Sequence, residues 1–247
     1  MLGPITIRYP FRPARRSLAT GHVSDLFGLA DEEPPHAVAE GVTLDVRPGD
    51  VVLFTGPSGS GKSSLMREVG KRLGAADVAA MELPDVPLID ALPGPVDERL
   101  SALAACGLSE ARLLLRTPGE LSDGQRYRFR TAFALASGAK TLMLDEFAAI
   151  LDRTLAKVLA FNLRKLASRS GVGFLCATTH DDLTEDLNPD AIVRCHGEGR
   201  VDVERRDVKK NGSASRTSFG SRTAPVPTGR TSHGGITAAT TSRTPAA

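Results

Sequence analysis

The strongest constraint in this chain is the segment G-P-S-G-S-G-K-S at residues 56–63, set between the apolar run V-V-L-F at 51–54 and the helix-compatible stretch S-L-M-R-E-V at 64–69. Strand, glycine-rich turn and helix in immediate succession allow backbone N–H groups to close around an anion. Gly56, Gly59 and Gly61 permit a tight concave turn that side chains would block. The start of the following helix adds the positive end of its dipole. Lys62 is then placed to reach the β- and γ-phosphates of a triphosphate, and the Ser63 hydroxyl to ligate a bridging Mg²⁺. Pro57, Ser58, Ser60 and Ser64 complete the candidate phosphate-binding segment. A glycine turn with a chance Lys-Ser is the competing reading, and the agreement of both flanks argues against it.

A strand feeding such a turn needs a core around it, and 247 residues with 41% hydrophobic and 24% charged content are ordinary for a globular α/β chain. No apolar run approaches the roughly 18–20 residues that span a bilayer, and the opening M-L-G-P-I-T-I-R-Y-P lacks a signal-peptide core, so a cytoplasmic location is expected. Cys106, Cys176 and Cys195 are odd in number and far apart, which suggests neither a disulfide framework nor a zinc site. The net charge of +2 is uneven: residues 208–247 carry six Lys and Arg and no acid, and +2 less +6 leaves −4 for residues 1–207. That C-terminal segment is Ser, Thr, Gly, Pro and Ala between isolated arginines, with no periodicity to offset the entropy of ordering it. It is expected to be a disordered basic tail, with contact to nucleic acid or another polyanion as a weaker expectation. The ordered domain is expected to span residues 1–207.

Along that domain, residues 5–9 alternate like a strand and stop at Pro10. Residues 44–47 and 51–54 read as two strands joined by the turn Pro48-Gly49-Asp50, and residues 31–35 as an acidic surface loop. The helix after the glycine segment ends at Gly74, and residues 78–82 read as a strand before Pro84 and Pro87. Residues 96–106, stopped by Gly107, and 109–116, capped by Ser109, form a short helical insert. Ser122 stands before a helix over 124–136, and Asp152 caps a helix over 153–168 with Leu155, Leu159, Leu163 and Leu166 in one stripe. Strands follow at 140–144, 172–177, 191–193 and 201–203. Alternating strands and helices predict right-handed crossovers and a largely parallel central sheet covered on both faces, with an antiparallel N-terminal β region.

The apolar strand at 141–144 ends in Asp145-Glu146, two carboxylates at the sheet edge where a bound nucleotide would lie. Asp145 suits a metal role, direct or through water. Glu146 is placed to orient or deprotonate an attacking water.

In order along the chain stand the P-loop, L-S-D-G-Q at 121–125, Asp145-Glu146 and T-T-H-D at 178–181. This set resembles the ATP-binding cassette (ABC) ATPases over about residues 20–205. The resemblance implies a P-loop NTPase fold and a catalytic role for Glu146 and Lys62. It makes Leu151-Asp152 the end of the D-loop and His180 the switch histidine. It further implies that Ser122, Gly124 and Gln125 cap ATP held by the P-loop of a second copy, so that two chains sandwich two nucleotides. Phe27 sits where the family often stacks a tyrosine on adenine. Departures are Asp123 in place of a glycine, Phe147-Ala148-Ala149 after the carboxylates, a short insert, and Gln125 as the only glutamine. Transport subunits carry a glutamine before the insert, and Glu82 is the nearest substitute. The motifs look most like a soluble group attached to a predicted acetyltransferase domain. The expectation is therefore a soluble homodimeric Mg-ATP hydrolase acting on an unidentified partner. The alternatives are the ATP-binding subunit of a membrane transporter and a nucleotide-gated or nucleic-acid-associated switch of low turnover.

Overall fold

The uninterrupted apolar run at the head of the glycine segment becomes the strand that divides the core in two. In the computed structural model, which describes residues 1–10, 17–29 and 35–206, all described residues fall within one compact unit, Met1–Gly212. The elements in order are β1 (Leu2–Tyr9), α1 (Leu18–Phe27), β2 (His36–Leu44), β3 (Val51–Thr55), α2 (Lys62–Leu73), β4 (Ala76–Asp77) and α3 (Leu88–Ala91). They continue with α4 (Val96–Ala105), α5 (Ala111–Leu114), α6 (Asp123–Ala136), β5 (Thr141–Leu144), α7 (Arg153–Ser170) and β6 (Gly173–Ala177). The last are α8 (Thr184–Leu187), β7 (Ala191–Gly197) and β8 (Arg200–Arg205).

Every residue of β3 is buried. It lies in a six-stranded sheet of order β4-β5-β6-β3-β7-β8, parallel to β6 and β7, with only β8 antiparallel at the edge. Successive side chains of a strand point to opposite faces, and the two cores follow that alternation. Val51 and Leu53 pack with Leu142, Leu144 and Phe174 under α7, where Ala156, Leu159, Ala160 and Leu163 are buried. Val52 and Phe54 pack on the other face with Leu65, Met66 and Val69 of α2 and with Ile5, Ala39 and Leu44 of the N-terminal sheet. A third cluster, including Leu88, Leu103, Leu121 and Phe129, holds the helical insert together. The head of β3 is tied down by Asp190, which accepts hydrogen bonds from Val51 N (2.9 Å) and Arg164 Nη1 (2.6 Å).

The α/β architecture, the largely parallel sheet and the antiparallel N-terminal β region follow the sequence expectation, as do the helices that begin after Ser122 and Asp152. Three local expectations need correction. The strand expected at 44–47 instead runs upstream as β2, antiparallel to β1 in its own two-stranded sheet, with Leu2 opposite Leu44 and Tyr9 opposite His36. Residues 45–50 are folded away by a turn in which Arg47 N donates to Asp50 Oδ2 at 2.8 Å. Residues 78–82 form no strand: the two-residue β4 lies just upstream, and Asp77 Oδ1 accepts from Ala79 N at 3.0 Å and turns the chain. Ser109 caps nothing: α5 has four residues and starts from Glu110. The ten-residue α1, boxed at its start by Ser17 and Thr20, has no anticipating apolar pattern because none of its residues is buried.

Among the described residues the three cysteines are free and buried, and no helix is long and apolar enough to cross a membrane. The acidic loop expected at 31–35 lies outside the described residues except for Pro35, as does the whole tail expected at 208–247.

Candidate nucleotide site

At the end of β3 the chain reverses through Gly56, whose φ of 138° suits glycine and whose added Cβ would fall 2.1 Å from the Cys195 carbonyl oxygen on β7. Gly61, at φ 90°, faces β2 just as closely, since a Cβ there would meet Val38 Cγ1 at 2.2 Å. The loop is thus clamped between a strand of each sheet. Helix α2 starts from Gly61 without any side-chain cap, so the N–H groups of its first turn are not taken by a capping side chain. Ser60 Oγ is buried with no hydrogen-bond partner. Lys62 is 8% exposed and its Nζ donates to the loop's own carbonyls, Gly56 O at 2.9 Å and Pro57 O at 2.7 Å. Its ammonium draws the Cys195 thiol partway down, although burial still pushes that thiol up to about 11. A cation, uncapped amides and an orphaned hydroxyl round one glycine loop make a receptor for a polyphosphate.

The loop opens into a cavity of about 670 Å³. Ser58, Gly59, Lys62, Ser63 and Ser64 line one side, and Asp145, Glu146, Thr178 and Thr179 line the other. Ser63 Oγ donates to Asp145 Oδ1 at 2.7 Å, and Glu146 N donates to the same oxygen at 3.0 Å. Arg67 Nη2 donates to Asp145 Oδ2 at 2.8 Å. Glu146 adopts φ 49° and Ala148 φ 62°, left-handed values that cost L-residues about 1–3 kcal/mol each. The turn is held by Phe147, fully buried, whose N–H donates to Ala177 O at 2.7 Å. The pinned neighbour leaves the Glu146 carboxylate exposed at the cavity rim.

The remaining expected site residues are elsewhere. His180 is exposed and does not line the cavity; its N–H donates to Thr178 Oγ1 at 3.1 Å, and Thr178 and Thr179 face the cavity instead. Ser122, Gly124 and Gln125 also lie outside it. Ser122 Oγ accepts from Gln125 N at 3.3 Å while Gln125 Oε1 accepts from Ser122 N at 3.1 Å, a reciprocal cap of α6. Gly124 packs against the segment that follows Glu146, with room for a Cβ only 3.1 Å from Leu151 Cδ2 and 3.4 Å from Ile150 O. Glu82 is exposed and absent from the cavity wall.

Phe27 is 74% exposed on α1 and does not reach the cavity either. The aromatic that does is Tyr9 at the end of β1, whose hydroxyl donates to Ser64 Oγ at 3.2 Å, with His36 beside it across the β1–β2 pair. Sequence reading missed Tyr9. Its signal was an aromatic ending an alternating strand just before Pro10, but its approach to α2 depends on a contact 55 residues apart. The hydroxyl of Ser63 and the carboxylate of Asp145 are hard oxygen donors, the kind that hold Mg²⁺ when phosphates supply most of its remaining ligands. Among the described residues no group of three or more His, Cys, Asp or Glu could form an all-protein metal cage.

Residues 52–202 match the family model described as ATPase family associated with various cellular activities (AAA). The lipoprotein-releasing system ATP-binding protein LolD of Novosphingobium aromaticivorans is 29% identical over 64% of this chain and 88% of its own length. LolD of Maricaulis maris is 30% identical over 59% of this chain and 81% of its own length. In fold, the chain is similar to the dimeric structure of MJ0796, a bacterial ABC transporter cassette, with a TM-score of 0.58 and 19% identity over 83% of this chain and 98% of that one.

Proposed function

Because this chain belongs to the ATPase family associated with various cellular activities (AAA), as an ATP hydrolase with the ABC-type cassette fold, we propose that it is the ATP-binding subunit of a membrane ABC transporter, working as a homodimer that sandwiches two Mg-ATP. The observation that carries this reading is the cavity in which the P-loop faces Asp145 and Glu146. The LolD relatives, matched over most of their length, favour a membrane partner over the soluble, self-contained ATPase expected from the motifs. They lend nothing to a nucleic-acid role, which rests on residues 208–247 alone.

In this reading Lys62 leaves its carbonyl partners to bind the β- and γ-phosphates, and the amides of residues 59–64 hold their oxygens. Tyr9 meets the base from the N-terminal sheet. Ser63 and Asp145 would hold Mg²⁺, which would supply charge neutralisation to the phosphates when bound. Glu146 orients and deprotonates the attacking water for in-line displacement. Ser122 and Gly124 are exposed or half-exposed at the start of α6, outside their own chain's cavity, as residues that serve a second copy must be. His180 joins the γ-phosphate only in that assembled state. The domain boundary proposed from the sequence, near residue 207, places all of these residues in the N-terminal part.

A second reading is favoured by one observation: Gln125, the only glutamine, is used in capping α6, and Glu82 stands away from the cavity. The link that transport subunits place before the insert therefore has no counterpart among the described residues of the site. In that reading the dimer drives a soluble protein or domain, as in the group associated with acetyltransferases. Affinity capture of the tagged chain with Glu146→Gln in Mg-ATP, from detergent-solubilised membranes and from the soluble fraction, tests the choice. The transporter reading predicts a stoichiometric multi-span membrane protein. Recovery of a stoichiometric soluble partner and no membrane protein would overturn it.

A further inference from the structure

Ser63 and Arg67 are four residues apart on α2, so they share a face of the helix. Both bond one carboxylate: Ser63 Oγ reaches Asp145 Oδ1 at 2.7 Å and Arg67 Nη2 reaches Oδ2 at 2.8 Å. Glu146 N adds a third donor on Oδ1 at 3.0 Å, so both oxygens of Asp145 are engaged. The two partners differ in burial, the Asp145 side chain being 15% exposed and that of Arg67 61%. The carboxylate is fixed and its cation is not. The Arg67 end of the pair is open to water, so the guanidinium can swing into solvent at little cost. A divalent ion bound between Ser63 and Asp145 Oδ1 lies on the same carboxylate whose Oδ2 Arg67 holds, and its charge repels a guanidinium that stays near.

We propose that Arg67 is a built-in competitor of the divalent cation: it neutralises Asp145 when metal is absent and sets the metal concentration at which the nucleotide site fills. This rests on the proposed assignment of Ser63 and Asp145 to the metal. The competing role is a clamp that holds Asp145 in its metal-binding rotamer, and the two differ in sign. Removing a competitor lowers the metal requirement, whereas removing a clamp raises it.

Mn²⁺ serves as the probe, titrated into full-length protein held in excess over ADP, with free and protein-bound ion separated by electron paramagnetic resonance. In R67Q the half-saturating Mn²⁺ concentration falls by about threefold to tenfold, the range expected when one positive charge is removed beside a divalent ion. R67K, which keeps the charge, stays within about twofold of the unmutated protein. D145N loses the protein-bound signal. A midpoint in R67Q that is unchanged or higher, with D145N still losing the signal, overturns the role of Arg67 while leaving the metal assignment standing. A bound signal that survives in D145N overturns the metal assignment and the proposal with it.

Discussion

The P-loop and the start of α6 are both helix N-termini preceded by a serine or glycine turn, yet they are finished in opposite ways. At the P-loop the helix has no side-chain cap, a buried serine hydroxyl lacks a partner, and the glycines are locked against Cys195 and Val38. At α6 Ser122 and Gln125 cap each other and the surface is open. The first site is organised by its own chain and wants only a ligand. The second satisfies itself within the monomer, and the proposed reading gives it work only when a second surface meets it. In the proposed reading, that difference separates what one chain does, binding nucleotide, from what two chains do, hydrolysing it.

The largest expected effect falls on the P-loop. Lys62→Ala removes the cation at the heart of the cradle and should weaken ATP binding by about a hundredfold or more, read by equilibrium titration with a fluorescent analogue. Affinity within a few-fold of the unmutated protein would mean the loop is not the phosphate site. Gly56→Ala probes the clamp rather than the charge. Its Cβ would collide with a backbone carbonyl that cannot move aside, so a loss of roughly 2–4 kcal/mol of stability is expected in thermal or urea unfolding. A variant as stable as the parent would show the loop to be looser than described.

On the α6 side the expectation divides. Ser122→Arg should leave nucleotide affinity of the monomer within about twofold while lowering steady-state phosphate release by about tenfold or more. If binding and turnover fell together, the two regions would not be separable. The smallest effect belongs to the basic segment: ending the chain after Asp207 should change turnover by less than about twofold, because no proposed site residue lies beyond it. A tenfold loss would move the domain boundary.

The comparison also shows what was legible in the amino-acid sequence. The cradle was readable because its chemistry is local: G-P-S-G-S-G-K-S lies between its own strand and helix, and the alternation of Val51, Val52, Leu53 and Phe54 divides the two cores. Asp145-Glu146 was readable for the same reason, as a polar stop on an apolar strand. Tyr9, Arg67 and strand β2 were not. Tyr9 and Arg67 acquire meaning from partners 55 and 78 residues away, respectively, and β2 has register shifts against β1 that blur its alternation. Phe27 is assigned to the adenine only by position along a resemblance, and it lies exposed on α1, outside the cavity.

The central claim is that ATP joins two chains and that Glu146 ends the union by hydrolysis. Glu146→Gln keeps the size and most hydrogen bonding of the side chain but removes the charge that activates water, so binding should survive while phosphate release stops. Gel filtration with light scattering in saturating Mg-ATP reads the assembly directly. An ATP-dependent dimer of Glu146→Gln, returned to monomer by adding Ser122→Arg, is the predicted result. A Glu146→Gln protein that stays monomeric at saturating ATP, or that dimerises equally well with Ser122→Arg in place, would contradict the account.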